Sequence, residues 1–281
     1  MSQAVKAALT RARSGAWLAR TRGRADGSGL RILLYHRVAD DGDPLAVPPA
    51  RFRAQMALLA DGGYRVVDLA GAVALLDAGE LPPRTIGLTF DDGFADVRDE
   101  ALPVLARHGF RATVFVTTGV ADGRCRFRWY ARQPPVLGWD ELAALDRDGT
   151  LRFEAHTVTH PSLIALDERA ARAEIADSRA ELAEHLGRDV SAFAYPAGLY
   201  GERERRLVAE AGYAAAVSCE PGVNLPGTDR LAMHRRQIDA RDGLLDFRAK
   251  VGGGHDTPLP LRGAYRRVRY GMRPARSSSR A

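Results

Sequence analysis

An apolar run, TIGLTF over residues 85–90, ends on two neighbouring acids, Asp91 and Asp92, and further along the segment HTVTH places His156 and His160 four residues apart. Adjacent carboxylates in a dry pocket repel unless a cation sits between them or one of them serves as a proton acceptor. The four-residue histidine spacing brings both imidazoles to the same side of one turn. Two imidazoles and one carboxylate are a usual set for a catalytic divalent metal, with positions left open for water and substrate. One aspartate of the pair can then ligate the ion while its neighbour, too close to share that role, stays free as a base. Either motif alone is a weak signal, and their agreement is what points to a metal centre.

Those side chains need a scaffold that brings distant segments together. Short β-rich runs lie near 31–35, 64–68, 85–90, 111–116, 151–155, 190–195, 213–217 and 235–239, and helical patterns fill 50–61, 68–78, 97–108, 139–148, 167–186 and 201–211. Such alternation predicts parallel strands with crossover helices, and seven or eight units suit a closed barrel better than an open sheet. His36 follows the first run, Asp91 and Asp92 the third, His156 and His160 the fifth, and Pro196 and Ala197 the sixth. All stand at the carboxyl ends of their strands, where active sites of parallel barrels form. The irregular segment 119–138 reads as a long insertion walling the ligand site.

Charge divides the 281 residues into three zones. Residues 1–30 carry a net +5 and residues 261–281 a net +7, so with +6 for the whole chain the body over 31–260 stands at −6. The C-terminal segment is basic and amphipathic with helical periodicity, which suits peripheral contact with an anionic membrane surface or docking on the body. No recognition motif or aromatic-interleaved basic patch accompanies the charge, which argues against nucleic acid. No apolar run approaches the ~18 residues of a spanning helix, and arginines interrupt the N-terminus where a secretory signal would have its apolar core. The expectation is a cytoplasmic protein with no signal peptide or transmembrane helix. Cys125 and Cys219 offer neither a disulfide framework nor zinc spacing.

TFDDG followed by HTVTHP resembles the NodB-homology polysaccharide deacetylases of carbohydrate esterase family 4, over about residues 31–251. The resemblance implies a distorted (β/α)7 barrel, a single domain over 31–255 between a basic N-terminal extension (1–30) and a basic C-terminal tail (256–281). It implies hydrolysis of N-acetyl groups from amino sugars of a polysaccharide or glycan precursor, with Asp91 as general base. Asp92, His156 and His160 would then hold a divalent metal ion, commonly zinc. The motif order is similar to that of the poly-N-acetylglucosamine deacetylase branch, where a tyrosine-histidine near the start supplies the general acid; LLYHRV makes that His36. The rival is His234 in RLAMHRR, which is followed by arginine rather than the family's usual aspartate.

A second departure lies in FAYPAG, residues 193–198, where the family often has an arginine and a further proline before Pro196 and a tyrosine after it. Here Ala194, Tyr195 and Ala197 stand instead. The backbone N–H after Pro196 can still face a developing oxyanion, but the missing arginine is expected to leave the base without its orienting partner. Tyr195, Phe94 and Trp139, with Leu163, border the motifs and are candidates to meet the sugar or the acetyl methyl, core packing being the ordinary role of such side chains. The same metal set could serve another ester, amide or phosphoester, and a barrel that binds carbohydrate without catalysis is the non-enzymatic alternative.

Overall fold

A computed structural model describes residues 3–24 and 27–256. In chain order the strands are β1 (Arg31–Tyr35), β2 (Arg37–Val38), β3 (Ala46–Val47), β4 (Arg65–Val67), β5 (Thr85–Phe90), β6 (Ala112–Val116), β7 (Leu151–Ala155), β8 (Ala192–Ala194), β9 (Ala215–Val217) and β10 (Arg236–Gln237). The α-helices are α1 (Gln3–Thr21), α2 (Pro49–Asp61), α3 (Leu69–Asp77), α4 (Leu102–His108), α5 (Thr118–Ala121), α6 (Trp139–Asp148), α7 (Glu168–Leu186), α8 (Glu202–Glu210) and α9 (Leu244–Val251).

The main sheet runs β10-β1-β5-β6-β7-β8-β9, all parallel, with β4 pairing along the first half of β5 and β6 along its end. All six residues of β5 are buried, as expected of a parallel strand covered on both faces. The two ends of the sheet approach each other at a seam: Met233 pairs with Val217 of β9, and three residues later Arg236 and Gln237 pair with β1. The result is the distorted, nearly closed α/β barrel expected for the NodB type.

Helix ends follow local chemistry. Asp68 and Asp167 cap α3 and α7 by accepting from Gly71 and Ala170 N–H groups, and Gly109 and Gly187 end α4 and α7 in the left-handed conformation. The single helix expected over 97–108 opens instead with a π turn, Val97–Ala101, ahead of α4. Pro103 has no N–H to give to the carbonyl four residues back, and the wider turn absorbs that defect.

The N-terminal extension is largely a docked helix. Trp17 of α1 is buried against Gly252 and Gly254, where an added Cβ would meet its ring at 2.5 and 2.6 Å. Ser14 donates to Asp246 of α9 at 2.7 Å, and the Arg13 Nε–H donates to Gly254 O at 2.9 Å. At the other end Asp256 pairs with Arg31 at 2.7 Å; the basic amphipathic pattern expected beyond it lies outside the described residues. Among the described residues no helix is long and apolar enough to cross a membrane.

Candidate active site

β5 delivers Asp91 and Asp92 and β7 delivers His156, all three at most 3% exposed. His160 lies in the loop after β7 and is slightly more open. Asp92, Thr157, His160 and Ala197 all hold positive φ, of 78°, 67°, 56° and 52°. Strained backbone of this kind costs about 1–3 kcal/mol per residue and clusters where function fixes geometry. The histidine loop is held from behind by Glu174 of α7, which accepts from the Val158 and Thr159 N–H groups at 2.9 Å each and from the Thr159 hydroxyl at 2.6 Å.

Asp92, His156 and His160 each direct one ligand atom to a common point, all within 4.8 Å of one another. Asp92 Oδ1 stands 3.7 Å from both imidazole Nε2 atoms, too far for hydrogen bonds, and has no hydrogen-bond partner although it is buried. His156 Nδ1 lies 2.7 Å from Ala194 O; facing a carbonyl, it must carry the proton, which leaves the Nε2 lone pair turned to the cluster. Burial lowers the pKa of His156 to about 4 and, with His156 adding, that of His160 to about 3, so both are neutral donors at neutral pH. Burial and the neighbouring Asp91 push Asp92 well above the usual carboxylate range. Two neutral nitrogens and one carboxylate oxygen that lacks a partner fit a divalent cation.

Asp91 is arranged differently. Burial opposes its charge, but Arg235 overcomes this and holds its pKa below the ordinary value. The guanidinium grips both carboxylate oxygens, Nη1 to Oδ1 at 2.6 Å and Nη2 to Oδ2 at 2.7 Å. It is itself fixed by bonds to Ser218 O and Thr89 Oγ1 and lies over the Phe115 ring. Asp91 therefore does have an orienting arginine, supplied from the barrel seam rather than from the segment before Pro196. The signal was present in RLAMHRR, as the arginine in place of the family's aspartate.

His36 leaves the end of β1 half-buried, its Nδ1 without a hydrogen-bond partner. Burial lowers its pKa, while Asp91, Asp43 and Asp239 pull it upward. His234 is half-buried too, with its own Nδ1 unpartnered, and its ring lies against Gly222, where an added Cβ would sit 2.5 Å away.

Ala197 is exposed, and its N–H has no partner among the described residues. Its position depends on Pro196, which is buried, and on Gly198, whose φ of 65° and close approach to Cys219 N leave no room for a Cβ. Tyr195 is fully buried, with its hydroxyl donating to Leu231 O at 2.9 Å. Phe94 is also buried, edge-on to Tyr130 and beneath Arg37. Trp139 stacks on His185 at 3.9 Å and donates to Asp122. The geometry thus gathers Asp91, Asp92, His156 and His160, with His36 within electrostatic reach of Asp91, and turns Tyr195, Phe94 and Trp139 to protein neighbours.

Residues 78–216 match the family model described as polysaccharide deacetylase. A Bacillus subtilis protein, YxkH, whose name places it among the polysaccharide deacetylases, is 29% identical over 210 residues, 74% of this chain and 71% of that one. A poly-β-1,6-N-acetyl-D-glucosamine N-deacetylase of Staphylococcus aureus is 22% identical over 192 residues, 66% of this chain and 64% of its own. The structure of IcaB from Ammonifex degensii is similar with a TM-score of 0.70 at 25% identity, covering 82% of this chain and 99% of that one.

Proposed function

The chain carries a domain of the polysaccharide deacetylase family, enzymes that hydrolyse N-acetyl groups on carbohydrate, and from that premise we propose that its own reaction is worked by Asp91 and His36 around a metal held by Asp92, His156 and His160. The observation that carries the proposal is the contrast between two adjacent aspartates: Asp91 is clamped and ionised by Arg235, and Asp92 has a bare oxygen beside two neutral imidazoles.

A divalent ion in that set, zinc in our reading, supplies a Lewis acid that acidifies water and polarises the acetamide carbonyl. Asp91 accepts the proton of the water that attacks the carbonyl carbon. The free Ala197 N–H donates to the oxygen as it gains negative charge. His36, as imidazolium, gives its proton to the nitrogen as the C–N bond breaks, and acetate and a free amino sugar leave. Burial makes His36 give up that proton readily, and the carboxylates around it favour its recharging.

The substrate on this reading is an N-acetylated glycan or glycan precursor, consistent with the substrate in the name of the Staphylococcus aureus relative. A cytoplasmic site at an anionic membrane face completes the proposal, supported by the net +5 and +7 at the two ends of the chain. Undiminished binding to anionic vesicles after removal of residues 1–30 and 261–281 would remove that part. Acetate release from N-acetylglucosamine oligomers by metal-loaded wild type, compared with Asp91→Asn, tests the rest. Metal-dependent release that the variant lacks is expected; equal release by both would sink the assignment of the base.

A further inference from the structure

The insertion between α5 and α6 holds one aromatic ring that the reaction leaves unused. Trp129 is 48% exposed, the one large hydrophobic among the described residues of 119–138 to be so. Its surroundings are fixed. Phe127 is buried and its N–H donates to Gln133 Oε1 at 2.7 Å, while the Tyr130 hydroxyl donates to Asp43 Oδ2 at 2.5 Å. The far end of the insertion is bonded to the segment after Asp92, by Ala95 N–H to Pro135 O at 2.9 Å and Leu137 N–H to Gly93 O at 3.0 Å.

On this rigid base the indole stacks on Phe127 with ring centres 4.8 Å apart, and it meets His160 edge-to-face, also at 4.8 Å. Phe127 itself lies edge-on to His160 at 5.8 Å. A ring needed only to pack His160 would be covered, as Phe127 is. An indole kept half in water beside the metal triad has a free apolar surface and little freedom to lose on binding. Sugars present such surfaces with their C–H faces, whereas an isolated ring with Arg126, Arg128 and Arg132 exposed around it is too small a patch for a bilayer core.

We propose that Trp129 is the platform on which a pyranose ring of the glycan stacks, setting its acetamide in front of Asp91 and His36. This rests on the deacetylase reading above and adds to it a site that favours oligomers over small acetylated compounds. The test uses the full chain loaded with zinc, as wild type, Trp129→Ala and Trp129→Phe. N-acetylglucosamine oligomers and an acetylated aryl ester without sugar serve as substrates, with bound zinc measured alongside. Trp129→Ala is expected to lower kcat/KM for oligomers about tenfold more than for the ester, mainly through KM, and Trp129→Phe to recover most of it.

Equal losses on both substrates, or loss of zinc in step with activity, would overturn the proposal in favour of a packing role for His160. So would an unchanged oligomer KM. Should wild type release no acetate, the deacetylase reading fails on its own, and fluorescence still decides the platform. An oligomer-dependent change in emission, present in wild type and absent from Trp129→Ala, supports it. Quenching by brominated-lipid vesicles with no response to oligomers overturns it and makes the loop a membrane contact.

Discussion

Arg235 meets Asp91 with both arms of its guanidinium, at 2.6 and 2.7 Å, across the seam where the barrel closes, and both side chains are out of solvent. A lysine cannot reproduce that planar fork. Arg235→Lys is therefore expected to keep the metal but lose about 100-fold in kcat, because the base is no longer held in one orientation. Removing the cation altogether, as in Arg235→Met, leaves a buried carboxylate unpaired and costs about 3–5 kcal/mol of stability. Adding Asp91→Asn to that variant should recover much of the loss, and denaturant unfolding of the four proteins measures it. Simple additivity of the two single changes would show that the pair is not coupled.

The partner of Asp91 in sequence has the opposite energetics. Asp92 keeps an unbonded oxygen in a buried site next to another carboxylate, so in metal-free protein its charge is a burden. Asp92→Asn is expected to raise the melting temperature of chelator-treated protein and to abolish the further rise that zinc gives wild type. Equal zinc-induced shifts in both proteins would remove Asp92 from the ligand set.

Much of this was legible in the sequence. The strands over 31–35, 85–90 and 151–155 stand at their expected bounds: the first two are buried throughout, and the third alternates buried, apolar Leu151, Phe153 and Ala155 with Arg152 and Glu154. Those expected at 190–195, 213–217 and 235–239 shrink to Ala192–Ala194, Ala215–Val217 and Arg236–Gln237, since only a few residues of each lie beside a neighbouring strand near the seam. The same seam hides the role of Arg235 from the sequence. Its bond to Asp91 spans 144 residues, so the departure in RLAMHRR marks the position without naming the partner that barrel closure brings to it. Tyr195 illustrates the converse: its place beside Pro196 suggested substrate contact, but it follows Phe193 into the packing between sheet and helices and donates to the Leu231 carbonyl.

His36 and His234 can be separated by the leaving group. Amide hydrolysis needs a proton on the departing nitrogen, whereas an aryl ester releases a group stable as an anion. His36→Ala is expected to lower kcat on N-acetylated oligomers about 100- to 10,000-fold and to affect the aryl ester far less. His234→Asn should change both within about threefold, since its ring lies against Gly222 and His36, not His234, is among the charges that act on Asp91. The reverse ranking on the oligomers would move the general acid to His234.

His255 gives a pH dependence that does not involve the reaction. Its Nε2 lies 3.0 Å from the Ser14 hydroxyl, which also donates to Asp246, so α1 is fastened to α9 through this buried group. Burial, with Lys250, Arg236 and Arg13 adding, lowers the His255 pKa to about 3. Between the ordinary value of about 6.5 and about 3, the unfolded chain binds a proton that the folded chain refuses, so stability falls as pH falls through that window. His156 and His160 act with the same sign in metal-free protein, as does Asp91 at the acid end, which makes wild type alone uninformative. His255→Gln removes one titrating group while its amide can still reach Ser14. Unfolding midpoints of zinc-loaded protein between pH 7 and 5 should therefore fall more steeply for wild type than for His255→Gln. Parallel curves would mean that His255 takes up its proton equally in the folded and unfolded chain, and that its burial beneath α1 has no hold on its charge.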